Sequence, residues 1–517
     1  YDGDRQQHRW IMPRSALASD APIIRERLLD GGLKLSSRPK HKQALNDLLM
    51  AVETSRRVLV VDRIGWYGNS FVMPARTFGQ TVNEKIELAA AISDDFTTAG
   101  SLDEWREAIA RPAAGNSRLV LAISAAFAGP LMHVVDPMNF GIHLRGTSRS
   151  GKTTALRAAA SVWGHGGDGG FIKTWRSTDN GLEGIAAARN DTLLCLDEMG
   201  QADGKSIGST VYMLSNGAGK QRASRDGSAR AVKKWRMPFL STGELSLEAK
   251  MLETGGRVRA GQEMRLLDIP ADAGADMGVF DDIGDFDAPN ELADHIAKSA
   301  CHFYGTAAEA FLGRLVTAEL DELRREHQRI QARFRDNLVP YGANSQVVSV
   351  ANRFAMTAFA GELAAAWQIV PWAPDTAYNA SARCFHNWLD NRGSHGLHEV
   401  DAGLKQVQSF LQQYGESRFE QLNNEGISEA YQLRDRAGCR TSEDGIVHFL
   451  VFPQVFTKEI CQGFDAKLIA QTLRDRGHLR QADGRLQVQR RLPPASKKQW
   501  VYCICSSVLE GDENAGR

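Results

Sequence analysis

The chain of 517 residues carries 62 Lys plus Arg against 62 Asp plus Glu and is 43% hydrophobic, so at ~150 residues per domain it exceeds a single core and predicts about three domains. The neutral balance excludes nucleic-acid binding through the overall field and leaves only local basic clusters for that purpose. Seven cysteines, Cys195, Cys301, Cys384, Cys439, Cys461, Cys503 and Cys505, form no C-x-x-C pair, which excludes a disulfide framework and points to a reducing, cytoplasmic compartment.

Beginning at Tyr1 rather than methionine, the sequence reads as part of something longer. Residues 1–115 predict a small mixed α/β domain with one clear hairpin: Arg57–Asp62 and Ile64–Tyr67 lead through Gly68-Asn69 into Ser70–Met73. Trp66, Tyr67 and Phe71 are expected in the core of this small sheet rather than stacked on bases. A helix over 103–110 is expected to end at Arg111-Pro112, with a linker at 113–116. The longest apolar run, Leu119–Val135, contains Gly129, Pro130 and His133, and predicts a buried helix rather than a membrane span.

From 116 to 290 the pattern alternates strand and helix, as in a parallel sheet with helices on both faces. Its centre is Gly146-Thr-Ser-Arg-Ser150-Gly151-Lys152-Thr153-Thr154, which fits G-x-x-x-x-G-K-[ST]. Glycines let backbone N–H groups curl around phosphates, Lys152 reaches the outer phosphates, and Thr153 offers a hydroxyl to Mg²⁺. A buried strand, Phe140–Leu144, precedes it and an Ala-rich helix follows, so the anion would sit at a helix N-terminus. ATP and Mg²⁺ are the expected ligands, with Gly146, Ser150, Gly151, Lys152, Thr153 and Thr154 around the nucleotide. A capping box is expected near Asn180, with Glu183 completing it.

About 40 residues on, the apolar Thr192–Leu196 ends in Asp197-Glu198. Asp197 suits the Mg²⁺ shell and Glu198 the activation of water. Arg236–Glu244 is a second apolar strand, ending in Ser241 and Thr242, either of which suits a polar sensing role unless it only caps the next helix. Arg265, at the start of the strand 263–270, is the candidate arginine acting on a neighbour's nucleotide; Arg257 and Arg259 are alternates. Between these strands, the span 219–236 predicts a hairpin around Asp226-Gly227. Lys220, Arg222, Arg225, Arg230, Lys233, Lys234 and Arg236 stand against one acid, Asp226, and suit phosphate contact with DNA.

The acidic stretch 268–291 is expected to be a surface loop or subunit contact. Residues 291–398 predict a helical lid, in which Arg353 is placed to reach the γ-phosphate of its own subunit. Residues 399–517 read as helix, short helix, strand, helix, helix and a basic hairpin over 479–491, a winged-helix-like order that serves DNA in some proteins and protein contacts in others.

Taken together, Arg63-Ile-Gly-Trp-Tyr67, the loop 146–154, Thr178-Asp-Asn-Gly-Leu182, Leu240-Ser-Thr-Gly-Glu244 and 261–270 resemble the AAA+ ATPases, and within them MCM-like and superfamily III helicases, which carry a basic hairpin before a sensor strand. More closely, residues 50 to 395 resemble an uncharacterised-domain family of P-loop proteins of plasmids, prophages and integrative elements, often beside primase modules. The resemblance implies a ring, a hexamer, with ATP between subunits, DNA in the channel, a possible primase partner and a role in mobile-element replication. Two other classes stay open: a regulatory ATPase that remodels or loads a partner, and a non-hydrolysing nucleotide switch.

Overall fold

The computed structural model describes residues 8, 10–12, 14–17, 22–53, 58–79, 85–89, 95–135, 138–221, 232–255, 260–392, 398–422, 435–443, 445–462, 464, 466–482, 485–492 and 498–510. In the N-terminal part, β1 (Val58–Val61) pairs in parallel with β5 (Lys85–Leu88), while β2 (Gly65–Tyr67), β3 (Ser70–Val72) and β4 (Thr77–Phe78) form an antiparallel meander. Gly68, at φ +59°, supplies the left-handed turn between β2 and β3. Trp66 and Phe71 are buried edge to face, whereas Tyr67 is half-buried. The helix expected to stop at Arg111-Pro112 continues to Ala113, its turn 106–110 widened to i→i+5 bonding just before Pro112.

Five parallel strands build the central sheet: β6 (Phe140–Arg145), β7 (Lys173–Thr174), β8 (Leu194–Asp197), β9 (Pro238–Gly243) and β10 (Leu266–Pro270), in the order β10–β6–β9–β8–β7. A parallel sheet needs cover on both faces, and the alternation of side chains provides it. Leu194, Leu196, Phe239 and Leu266 pack with Trp175, Leu182 and Val211 beneath helices Asp179–Ala187 and Ile207–Asn216. On the other face Cys195, Leu240, Leu267 and Ile269 join helices Ser117–Val135 and Lys152–Ser161.

Ser117–Val135 is long and apolar enough to cross a membrane, but 89% of its most apolar window lies inside the fold. Gly129 is its closest approach to the sheet: a Cβ there would lie 2.0 Å from the Thr192 carbonyl oxygen. Helices Thr306–Leu315, Leu320–Leu338, Ser345–Ala366 and Thr376–Arg392 complete the same core, which runs unbroken from Ile64 to Leu389. The boundaries expected at 115/116 and 290/291 therefore do not divide separate cores.

Residues 398–510 have their own cores. Helix His398–Tyr414 leads into β11 (Phe419–Gln421), where a short helix was expected, then β12 (Gly438–Glu443), β13 (Ile446–Val451), helix Ala466–Asp475, β14 (Leu479–Arg480), β15 (Val488–Arg491) and β16 (Lys498–Cys505). The arms of the basic hairpin expected over 479–491 each pair with β16: β14 at Cys503–Ile504 and β15 at Lys498–Val501.

Candidate functional site

Residues 146–151 connect β6 to helix Lys152–Ser161, so the loop lies at the carboxyl end of a central strand and at a helix N-terminus. Arg149 (φ +63°) and Gly151 (φ +84°) both turn left-handed to make the curl. A Cβ on Gly151 would stand 2.5 Å from Val279, which leaves room for glycine alone.

The segment that holds the loop is the acidic one expected at the surface. Val279 N–H donates to the Ser150 carbonyl (2.9 Å), Val279 and Phe280 are buried, and Asp281 accepts from both the backbone and hydroxyl of Ser117 at 2.6 Å. Asp272, Asp276, Asp282, Asp285 and Asp287 are exposed, as expected of a surface segment, but the segment is not free. Apolar residues inside the acidic run anchor it under the phosphate loop, while its carboxylates cap neighbouring backbone groups.

Lys152 is only 7% exposed, and its ammonium donates to the carbonyls of Gly146 (2.8 Å) and Thr147 (2.6 Å) and to Ser150 Oγ (3.4 Å). Among the described residues no carboxylate pairs with it. A buried ammonium surrounded by neutral acceptors fits an anionic ligand, because the remaining charge needs a counter-ion. Thr153 is half-buried at the mouth; Thr154 is buried, turned into the helix packing.

β9 lies between the loop strand β6 and the acidic strand β8, and brings their carboxyl ends together. Thr242 is 1% exposed. Its hydroxyl donates to Asp197 Oδ1 in a short bond and accepts from the Glu198 N–H at 3.2 Å. Glu198 has φ +55°, a strained turn for a non-glycine residue that projects its side chain beyond the strand. Its Oε1 accepts from Gly200 N–H at 3.2 Å, and Lys250 donates to the Gly200 carbonyl at 2.7 Å, steadying that turn.

Ser241, next to Thr242, points to the opposite face. There its hydroxyl meets Trp175 Nε1 and His143 Nδ1, each at 2.9 Å, while His143 Nε2 lies 3.0 Å from the Leu245 carbonyl. Complete burial holds the His143 pKa below its ordinary value, so the ring is neutral. Sequence reasoning missed this polar cluster. The signal was present as one histidine in an otherwise apolar strand, Phe140-Gly-Ile-His143-Leu144.

Arg265 sits at the amino end of β10: its carbonyl accepts from Gly141 N–H at 2.7 Å, whereas Pro270 pairs with Arg145 beside the phosphate loop. Five residues at ~3.3 Å each separate the two ends by about 16 Å. The guanidinium lies over the Tyr212 ring at 4.5 Å and donates to the Gly261 carbonyl at 2.7 Å, leaving Nε buried without a partner. Arg353, 7% exposed, also has an unpartnered nitrogen, Nη1. Burial and the charge of Arg265 lower its pKa to about 10. Arg265 thus supplies the charge acting on Arg353, and among the described residues no hydrogen bond joins the Arg353 guanidinium to residues 146–154.

Of the basic segment, Arg222, Arg225 and Arg230 lie outside the described residues, as do the alternates Arg257 and Arg259. Lys220 is engaged, its ammonium 2.7 Å from Asp179 Oδ2, which holds that carboxyl below its usual range. Lys233 and Lys234 have no carboxylate partner among the described residues. Lys234 and Ala218 form an isolated antiparallel bridge at the base of the segment. Glu183 does not cap its helix; Thr178 does, accepting from Gly181 N–H at 3.2 Å, and Glu183 is buried against Gly219 and the Lys220 N–H.

The loop 146–151, the end of β8 with Asp197-Glu198 and the end of β9 with Thr242 thus share one end of a parallel sheet. The wider fold has known parallels. Residues 1–234 match a family described as a domain of unknown function (DUF927), a span that takes in the loop and Asp197-Glu198 and ends at the base of the basic segment. No curated protein matches. Among solved structures, one described as "SCCmec type IV Cch - active helicase" is similar, at 18% identity and a TM-score of 0.72, over 96% of this chain and 89% of that one. The chain shares that fold.

Proposed function

We propose that this protein is an ATP-dependent DNA helicase or translocase, a ring-forming AAA+ motor for replication of a mobile genetic element. The observation that carries the reading is the junction of β6, β9 and β8, where the Thr242 hydroxyl locks Asp197 and the backbone of Glu198 at the same end of the sheet as the uncompensated Lys152 ammonium. That is what phosphoryl transfer from a nucleoside triphosphate to water requires: a cationic cradle, an acid for the metal and a base for the water.

In this reading Lys152 turns its donors from the loop carbonyls to phosphate oxygens, and the loop N–H groups hold the remaining ones. Thr153 and Asp197 would hold Mg²⁺, which when bound neutralises charge on the phosphate oxygens. Glu198 leaves Gly200, accepts a hydrogen bond from the attacking water and takes its proton. Thr242 keeps the two acids in register. Arg265 and Arg353 lie together with unpartnered N–H groups, and Arg265 is at the far end of its own sheet, which supports both arginines serving a neighbour's phosphates across a subunit boundary. Contact of Arg353 with the γ-phosphate of its own subunit remains the alternative to this reading. Residues 291–392 would act as the lid, and 398–510 as a winged-helix-like module. The resemblance to the helicase structure supports the fold on which this rests.

The test is the steady-state ATP hydrolysis rate with and without single-stranded DNA at fixed salt, with Lys152→Ala as the blank, followed by unwinding of a forked duplex. Stimulation and unwinding are expected. Hydrolysis indifferent to DNA would replace this reading with an ATPase that remodels a partner protein.

A further inference from the structure

A groove of about 890 Å³ opens where the N-terminal hairpin meets the amino ends of the central strands, away from the phosphate loop. Arg63 and Tyr67 form one wall, Lys173 lies in another, and Lys233 and Lys234 at the base of the basic segment form a third. Its walls are tied through one carboxylate. Asp191 accepts from Trp66 N–H (3.1 Å) through one oxygen and from Arg236 Nε (2.8 Å) through the other, and Asn190 Nδ2 donates to the Ile64 carbonyl at 2.9 Å. A Cβ on Gly65 would fall 2.3 Å from Asp191, so glycine is what lets the hairpin dock this closely.

The charges in the groove do not cancel. Asp95 is already shared by Arg189 (2.5 Å) and Lys173 (2.9 Å), and Asp62 accepts from the Tyr67 hydroxyl at 3.2 Å. Arg63 donates a long bond, 3.4 Å, to the Lys234 carbonyl and its guanidinium also approaches the Tyr67 hydroxyl, a neutral partner that leaves its charge in place. Lys233 extends over Gly184, where a side chain would approach its ammonium at 3.7 Å, and neither it nor Lys234 meets a described carboxylate. Five cations, Arg63, Lys173, Arg189, Lys233 and Lys234, against two carboxylates, Asp62 and Asp95, leave the groove net positive, and its wall also carries a half-buried aromatic ring. Separated positive charges beside a ring fit a polyanion that bears flat, stackable groups.

We infer that this groove is a contact site for single-stranded nucleic acid, with phosphates on Arg63, Lys233 and Lys234 and a base against Tyr67. The inference rests on the DNA-motor reading and extends the strand's path from the basic segment into the N-terminal module.

The experiment measures fluorescence anisotropy of a labelled oligothymidine with the full chain, across a range of salt. The variants are Arg63→Ala with Lys234→Ala, Tyr67→Ala and Tyr67→Phe, each first matched to wild type by thermal melting. The double variant should bind on the order of ten-fold more weakly at moderate salt, with a salt slope shallower by roughly 0.7 per lost phosphate contact. Tyr67→Ala should lose roughly five-fold or more with its slope unchanged, and Tyr67→Phe, which keeps the ring, should bind as wild type. Wild-type binding of the strand with equal binding by all variants overturns the groove and leaves the motor reading standing. A wild type that binds no strand overturns both. Capture of poly-glutamate that oligothymidine cannot displace also overturns the inference, and assigns the groove to an acidic peptide.

Discussion

Replacing Thr242 by valine keeps the volume of a side chain that is 1% exposed and removes only its hydroxyl. The hydroxyl makes two bonds, to Asp197 Oδ1 and from Glu198 N–H. Glu198 N–H would keep Asp197 Oδ1, at 3.1 Å, as an acceptor, so no backbone donor is orphaned. What is lost is one bond to an ionised carboxylate, about 2 kcal/mol of stability. The larger effect is positional: Asp197 and Glu198 lose their common tether, and an error of about 1 Å in a reacting group costs on the order of 10²-fold in rate. Steady-state hydrolysis at saturating ATP should fall by that factor, while binding of a fluorescent nucleotide, which depends on the untouched Lys152 cradle, should change by less than about three-fold. Thr242→Ser should recover most of the rate. Wild-type turnover by Thr242→Val would refute the tether, and failure of Thr242→Ser would show that the methyl group, not the hydroxyl, matters.

Glu198→Gln should bind nucleotide and lose roughly 10²- to 10⁴-fold in turnover; single-turnover hydrolysis at the normal rate would remove Glu198 from the role of base. Arg265→Ala should be inactive alone, at about 10³-fold loss, yet regain activity when mixed with the equally inactive Lys152→Ala, because mixed assemblies restore complete sites; no recovery in titrations of one against the other would argue against action across subunits. Gly129→Ala should lower the denaturation midpoint sharply, by about 3 kcal/mol or more, since its Cβ meets the Thr192 carbonyl oxygen at 2.0 Å and backbone cannot yield; a midpoint like wild type would show that the helix shifts freely. Burial pushes His327 down to about 4 from 6.5, so the unfolded chain takes up a proton below about 6.5 that the folded chain refuses until about 4. Stability present at pH 7 is therefore lost as the pH falls through that window, by at most about 3 kcal/mol. His327→Phe, beside Phe359, should flatten the loss between pH 7 and 5 in chemical denaturation; an unchanged profile would rule out the contribution.

Local chemistry made the strand–loop–helix at 140–161, with its left-handed Gly151, legible. Glycines at fixed offsets, a lysine and a hydroxyl have no common alternative use between a buried strand and a helix, and the acids after Thr192–Leu196 followed by the same reasoning. The buried helix 117–135 was legible because its glycine and proline suit a packed core better than a membrane span; its histidine, His133, is exposed. Tertiary contacts were not legible. The acidic run 271–288 reads as surface by composition, but Val279 and Phe280 carry it inward to brace Ser150. Ser241 and Thr242 look interchangeable along the chain, and the pleat of β9 sends one to Asp197 and the other to Trp175 and His143.

Packing across the expected boundaries was also not legible, for a related reason. A linker-like sequence at 113–116 does not prevent Trp66 and Trp105 from packing in the core that holds helix 117–135. The sequence by itself determined the chemistry available at each position: which residues can curl around phosphate, hold a metal or carry charge, because those capacities belong to the side chain and its immediate neighbours. Only the tertiary structure decided which of them meet. Strand order placed β9 between β6 and β8, and set Arg265 at the far end of the sheet with Arg353. The closing of the N-terminal hairpin onto Asp191 left Arg63 and Tyr67 facing Lys233 and Lys234. Such pairings join residues from 45 to 171 positions apart, and are fixed by burial and strand register rather than by local sequence.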